Sequence, residues 1–184
     1  MLQATIVTTD DEIEQVHRLN VLNYRKNVSP EEKEKEGFVS WEYPVKLLQQ
    51  LQNIAPHVIV KDGDKVIAYA LVATKEAAPF HKDLKMMFDH LATLTYKGKL
   101  LNEYNFYCMG QVCIDKAYRG QGVFSMLYQY HKQLYADKFD MMITEIAPSN
   151  PRSQKAHEKV GFKTIFNYRD ALDEWNVVVW DWNA

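Results

Sequence analysis

Arg119-Gly120-Gln121-Gly122 links an aromatic and β-branched run, Phe106 to Ile114, to an amphipathic run that starts with Val123-Phe124-Ser125. Two glycines let the chain turn tightly and aim several N–H groups one way at the start of a helix. Such a terminus carries partial positive charge and unpaired donors, which suits a phosphate. Arg119 adds a cation with a planar fork. The chemistry this permits is the binding of a diphosphate by the backbone of Gly120, Gln121, Gly122, Val123, Phe124 and Ser125. A nucleoside-triphosphate loop needs Lys and Ser/Thr after its last glycine, and here Val123 and Phe124 stand there. No third glycine falls at the dinucleotide spacing. A coenzyme A-type ligand, held without a metal, fits better than ATP.

About thirty residues on comes a second constellation, from Thr144-Glu145 through Asn150-Pro151 to Gly161-Phe162. Met141 to Ile146 reads as a buried strand. Pro151 is allowed at a first helical position, and Asn150 before it is a natural N-cap. Gly161 supplies a left-handed C-cap, so the pattern predicts a helix from Pro151 to Val160. Asn150 and His157 are seven residues apart, close to two turns, and share one side of it.

At these two places the chain resembles the GNAT family of N-acetyltransferases. The family's first signature, Gln/Arg-x-x-Gly-x-Gly/Ala after a strand, reads here Arg119-Gly120-Gln121-Gly122-Val123-Phe124. The second, a strand ending near an Asn and a short helix closing in Gly-Phe, reads Asn150 through Gly161-Phe162. The resemblance spans roughly residues 104–168 and is architectural elsewhere. It implies an α/β (α+β) domain over residues 1–184, with a mostly antiparallel mixed sheet, a splayed parallel pair and helices on both faces. It also implies acetyl-CoA as cosubstrate, no metal, and acetyl transfer to a primary amine of a small molecule or peptide by direct attack on the thioester. Carried over by position, the backbone of Val112, Cys113 and Ile114 holds the pantetheine arm as an added strand would. An N–H there meets the thioester oxygen and the developing oxyanion. Asn150 stands near the arm.

Glu145 stands where some relatives place the base. His157 stands where the family often has a Tyr that protonates the leaving thiolate. An imidazole, with an ordinary pKa of about 6.5, can act as an acid near neutrality, and a helix C-terminus favours its charged form. The alternative is a packing His that only orients the cofactor. Phe124 replaces the family's Gly or Ala; its N–H stays available when the ring turns into the core. The second functional reading is a non-catalytic acyl-CoA sensor or scaffold of the same fold.

The 184 residues suffice for one domain with a real core. A formal charge of −2 gives no footprint for nucleic acid. No apolar stretch reaches membrane-span length, and the first residues do not read as a signal peptide. Cys108 and Cys113, five apart on one strand, are expected on opposite faces and unpaired. A reducing, cytoplasmic setting follows. The chain could pair as a homodimer.

Strands are expected over 4–8, 58–60, 66–73, 163–168 and 175–182, the last two around the turn Asp170–Asp173. Asp10 or Asp11 is expected to cap a helix with Ile13, Val16, Leu19 and Leu22 on its apolar side. A second helix is expected over 43–52. Pro30 to Glu36 reads as a solvated turn, or as carboxylates (Glu31, Glu34, Glu36) drawing a cationic substrate. Residues 75–104 form a long connection with a helix near 81–94, either functional or an edge cover. The helix from about Gly122 to Tyr135 is expected to face the sheet through Val123, Met126, Leu127, Tyr130 and Leu134. Trp41 and Tyr43 are the aromatic residues expected on the acceptor side. Neither cysteine has an identifiable partner His. His81, His90 and His131 lack metal-ligand spacing and read as surface or partly buried residues.

Overall fold

The computed structural model describes residues 1–170 and 173–183, and only the backbone of 34–36. The side chains of Glu34 and Glu36, and Ala171 and Leu172 of the expected last turn, lie outside the described residues. The element order is β1 (Leu2–Ile6), α1 (Asp10–Asn23), α2 (Pro30–Glu36), α3 (Val45–Ile54), β2 (Val58–Asp62) and β3 (Lys65–Ala73). There follow α4 (Lys82–Leu91), a small hairpin of β4 (Thr95–Tyr96) and β5 (Lys99–Leu100), β6 (Phe106–Ile114) and α5 (Val123–Tyr135). The chain closes with β7 (Met141–Ile146), α6 (Pro151–Val160), β8 (Lys163–Arg169) and β9 (Glu174–Asp181).

Among the described residues seven strands form one sheet in the order β1-β2-β3-β6-β7-β9-β8. Every neighbouring pair is antiparallel except β6 and β7. That parallel pair is short, running from Phe106 opposite Met141 to Cys108 opposite Ile143. Beyond it β6 continues along β3 to Ile114, while β7 continues along β9 to Ile146. The two strands therefore part, and the β6 edge from Met109 onward has no ladder pairing with β7. The Thr144 hydroxyl donates to Met109 O at 2.8 Å where the ladder ends.

A bulge in β6 shapes the mouth of this splay. Ala70 faces Val112 and Val72 faces Met109, so β6 has one more residue than β3 between these pairs. Gly110 and Gln111 sit in the extra step, and such a step reverses the side-chain alternation beyond it. Cys108 and Cys113 consequently lie on the same face, in one core cluster, which corrects the expectation of opposite faces. Both are free and buried.

Helices α1, α3 and α4 cover that face; α5 and the end of α6 cover the other. Thr9, rather than Asp10 or Asp11, caps α1, in a reciprocal capping box with Glu12. Leu22 is exposed, because the buried side of α1 runs on through Asn20 and Asn23. Residues 75–104 are a face cover: Leu84, Phe88, Leu91, Leu94 and Leu101 join the first core. On α5 the buried positions are Val123, Leu127, Tyr128, His131 and Tyr135, while Met126, Tyr130 and Leu134 pack at the margin. The stripe is rotated from the expected one because His131 is fully buried, its Nδ1 accepting from the Tyr107 hydroxyl at 2.9 Å.

Candidate functional site

Gly120 and Gly122 have φ of +75° and +79°, a conformation that penalises any side chain. Open space surrounds both, so the torsion, not crowding, calls for glycine. Helix α5 starts at Val123, and its first hydrogen bond to the preceding loop is Met126 N to Gly122 O at 3.1 Å. Among the described residues the backbone N–H groups of Gly120 to Ser125 donate to no protein acceptor. Six successive unpaired donors at a helix start form a cradle for an anion. The side chain of Arg119 braces it: Nε donates to Ile114 O at 3.0 Å and Nη2 to Asn23 Oδ1 at 2.9 Å.

A groove of ≈ 290 Å³ runs from this cradle along the open edge of β6. Val112, Cys113, Ile114, Arg119, Gly120, Gly122, Val123, Phe124 and Asn150 line it, so the structure brings together most of the expected cofactor residues. Gln121 and Ser125 are exposed and face the cradle only through backbone. The Phe124 ring turns back onto Tyr128 (4.6 Å between centroids) and His157 (5.1 Å), which leaves the loop's N–H groups uncovered. These residues fit a coenzyme diphosphate and its extended arm.

Asn150 caps α6 by accepting from Ser153 N at 3.2 Å, and its Nδ2 donates to Phe38 O at 3.2 Å. It thereby ties the 37–39 segment to the groove's far lip. Gly37 is crowded there: an added Cβ would lie 2.9 Å from Asn150 Oδ1. At the near lip Lys116 pairs with Glu32 of α2.

His157 does not reach the groove. It is 1% exposed, its Nδ1–H donates to Ser153 O at 2.8 Å, and its Nε2 accepts from the Tyr128 hydroxyl at 2.5 Å. Burial lowers its pKa to about 4. A neutral, fully bonded ring does not serve as an imidazolium acid near neutrality, so the geometry supports the packing alternative. His57 and His131 are likewise buried, lowered to about 4 and about 3 by desolvation. An unfolded chain takes up protons below about pH 6.5 that these three sites resist, so their stabilisation, complete above that pH, is lost as pH falls toward 4. Circular dichroism is expected to show cooperative unfolding between about pH 6 and 4; a chain still folded at pH 3 would contradict neutral burial.

Glu145 sits on β7 two residues past the last parallel pair, Cys108 opposite Ile143, and does not line the groove. Tyr168 donates to its Oε1 at 2.9 Å. Its pKa is raised to about 7, first by burial, with Asp170 adding and the Tyr168 bond opposing. A carboxyl at that value can both take and return a proton near neutrality.

Trp41 and Tyr43 lie away from the groove. Tyr43 is core, its hydroxyl 3.3 Å from Gly110 O, and an added Cβ on Gly110 would meet that oxygen at 2.8 Å. Trp41 is half-buried between Tyr43 and His81. Their segment matters through its backbone. Gln111 Nε2 donates to Trp41 O at 2.7 Å, Asn20 Nδ2 to Gln111 Oε1 at 2.5 Å, and Tyr43 N to Asn20 Oδ1 at 2.9 Å. This buried network fixes the bulge. Gln111, Asn20, Asn23, Tyr128 and Tyr168 were not among the residues expected at the site. The available signals were an amide within an apolar strand and two Asn on the apolar side of a helix.

Among the described residues no cluster of three or more His, Cys, Asp or Glu could hold a metal, and no helix is long and apolar enough to cross a membrane. The model of the acetyltransferase (GNAT) family matches residues 13–162. Several solved structures share the fold. The ribosomal-protein-S18-alanine N-acetyltransferase from Escherichia coli has a TM-score of 0.64 at 11% identity, over 98% of this chain and 94% of that one. Ard1 from Thermoplasma volcanium has a TM-score of 0.65 at 12% identity, over 97% of each. A chain of the NatC complex bound to Gag peptide and CoA has a TM-score of 0.64 at 10% identity, over 98% of each. No curated protein matches the chain significantly. The cradle, the splayed strands and the family match agree: the chain belongs to the GNAT acetyltransferase family.

Proposed function

We propose that this protein transfers an acetyl group from acetyl-CoA to a primary amine of a small molecule or peptide. The observation that carries this is the row of six unpaired N–H groups, Gly120 to Ser125, opening onto the free edge of β6. The diphosphate rests on that row, and the pantetheine arm adds to the edge at Val112 to Ile114. The bulge at Gly110–Gln111 turns backbone toward the thioester oxygen, where a donor stabilises the charge that develops. Glu145 takes the proton of the attacking amine. The new C–N bond forms as the C–S bond breaks, and the thiolate leaves with a proton from Glu145 or solvent. Asn150 holds the groove's lip, and His157 keeps α6 docked on α5. The two free thiols suit a reducing, cytoplasmic setting.

The acceptor is tested by a screen of polyamines, amino acids, aminoglycosides and peptide N-termini with acetyl-CoA, reading thiol release. Amine-dependent release with a matching acetylated product is expected. Tight coenzyme binding with no release for any acceptor would replace the enzyme reading by a sensor or scaffold.

A further inference from the structure

Glu145 takes one bond from the protein among the described residues. The Tyr168 hydroxyl donates to Oε1, and Oε2 receives none. Tyr168 lies on β8, an edge strand of the sheet, whose Phe166 is 42% exposed. What steadies the Tyr168 ring comes from elsewhere in the chain. His90, on α4 of the 75–104 cover, packs against it, the rings tilted by 45° with 4.2 Å between centroids. The Nε2 of His90 is buried without a partner, so this nitrogen adds no bond and the ring contributes packing. Across the strand pair, Trp175 stands opposite Tyr168, and its Nε1 is also buried and unpartnered. The hydroxyl that reaches Glu145 is thus held by a segment remote from the coenzyme cradle.

We propose that Tyr168 is a positioning residue for acyl transfer: its hydroxyl fixes Glu145 Oε1 and leaves Oε2 to take the acceptor's proton, while His90 of the 75–104 cover holds the Tyr168 ring in place. This rests on the reading of Glu145 as the base. A base fixed by one oxygen presents the other along a defined direction, as proton transfer from a bound amine requires. The titratable groups facing Glu145 are Tyr168 on β8, Asp170 just beyond it and the Cys108 thiol on β6. Lys75 lies beyond Cys108, and His90 acts from α4 through Tyr168. Burial and Asp170 disfavour the carboxylate, and the Tyr168 bond favours it. Removing that hydroxyl therefore raises the midpoint of Glu145, and the acidic limb of activity moves to higher pH.

Carboxyl-13C glutamate spectra of the full chain follow the midpoint directly, with Glu145 assigned by its absence in Glu145→Gln. Tyr168→Phe, which keeps the ring, is expected to raise it by about one pH unit, and His90→Ala by less. The kcat/KM profile with the best amine from the acceptor screen is expected to shift with it, about tenfold in rate on the acidic side, while KM for acetyl-CoA stays unchanged. A midpoint and acidic limb that stay put in Tyr168→Phe would overturn this inference and leave Glu145 as the base. Full turnover in Glu145→Gln would remove both.

Discussion

Glu145→Gln is expected to lower kcat by about 10²–10⁴-fold, the usual contribution of a positioned general base. Affinity for acetyl-CoA should not change, because Glu145 does not line the groove proposed for the coenzyme. The same substitution is expected to stabilise the fold above neutral pH. The carboxyl moves from 4.5 to about 7, chiefly through burial. Its folded value lies above its unfolded one, so the folded chain binds a proton between these pH values that the unfolded chain has lost. Stability therefore falls as pH rises through this window, and the deficit, about 3 kcal/mol, is complete above pH 7. The amide carries no charge to bury and can still accept from Tyr168. Turnover measurements and thermal melts at pH 8 check both halves. A variant that keeps its rate, or melts lower than the parent, would count against a buried base at the splay.

The second large effect concerns the cradle. Gly122→Val places a β-branched residue at φ +79°, a genuine outlier for such a side chain. The loop must then rearrange, which turns donors away from the diphosphate. Charge-assisted bonds contribute roughly 1.5–3 kcal/mol each, so losing two weakens acetyl-CoA binding by about 10²–10⁴-fold. Gly63, in the β2–β3 turn, has φ +58° and open space around it. Gly63→Val carries comparable strain far from the groove and serves as the control. Calorimetry should show binding lost in Gly122→Val and kept in Gly63→Val; equal affinities would mean that the loop does not hold the ligand.

How much of this could be read beforehand depended on how local the signal was. Helix α6 was legible to its ends, since Asn150, Pro151 and Gly161 each fix one terminus by local backbone chemistry. The glycine loop was legible for the same reason. The β6 bulge was not: it arises where Gly110 admits the Tyr43 ring and Gln111 joins a network from α1. Without it the alternation along β6 gave the wrong face for one of the two cysteines. His157 read as an acid for the leaving thiolate or as a packing residue, and His131 as a surface or partly buried one, yet each finds a Tyr hydroxyl that makes burial tolerable. Tyr168 read only as part of a strand; its bond to Glu145 depends on β8 reaching β7 through β9. Contacts set by sheet order leave no trace in the spacing of residues.

Backbone donors from Gly120 to Ser125 are proposed to grip a diphosphate. Titration calorimetry of the wild-type protein with acetyl-CoA and with acetyl-pantetheine, which lacks the diphosphate, isolates that grip. Saturable binding of acetyl-CoA is expected, with affinity for acetyl-pantetheine weaker by about 10²-fold or more. Equal affinity for the two, or no binding of acetyl-CoA, would contradict it.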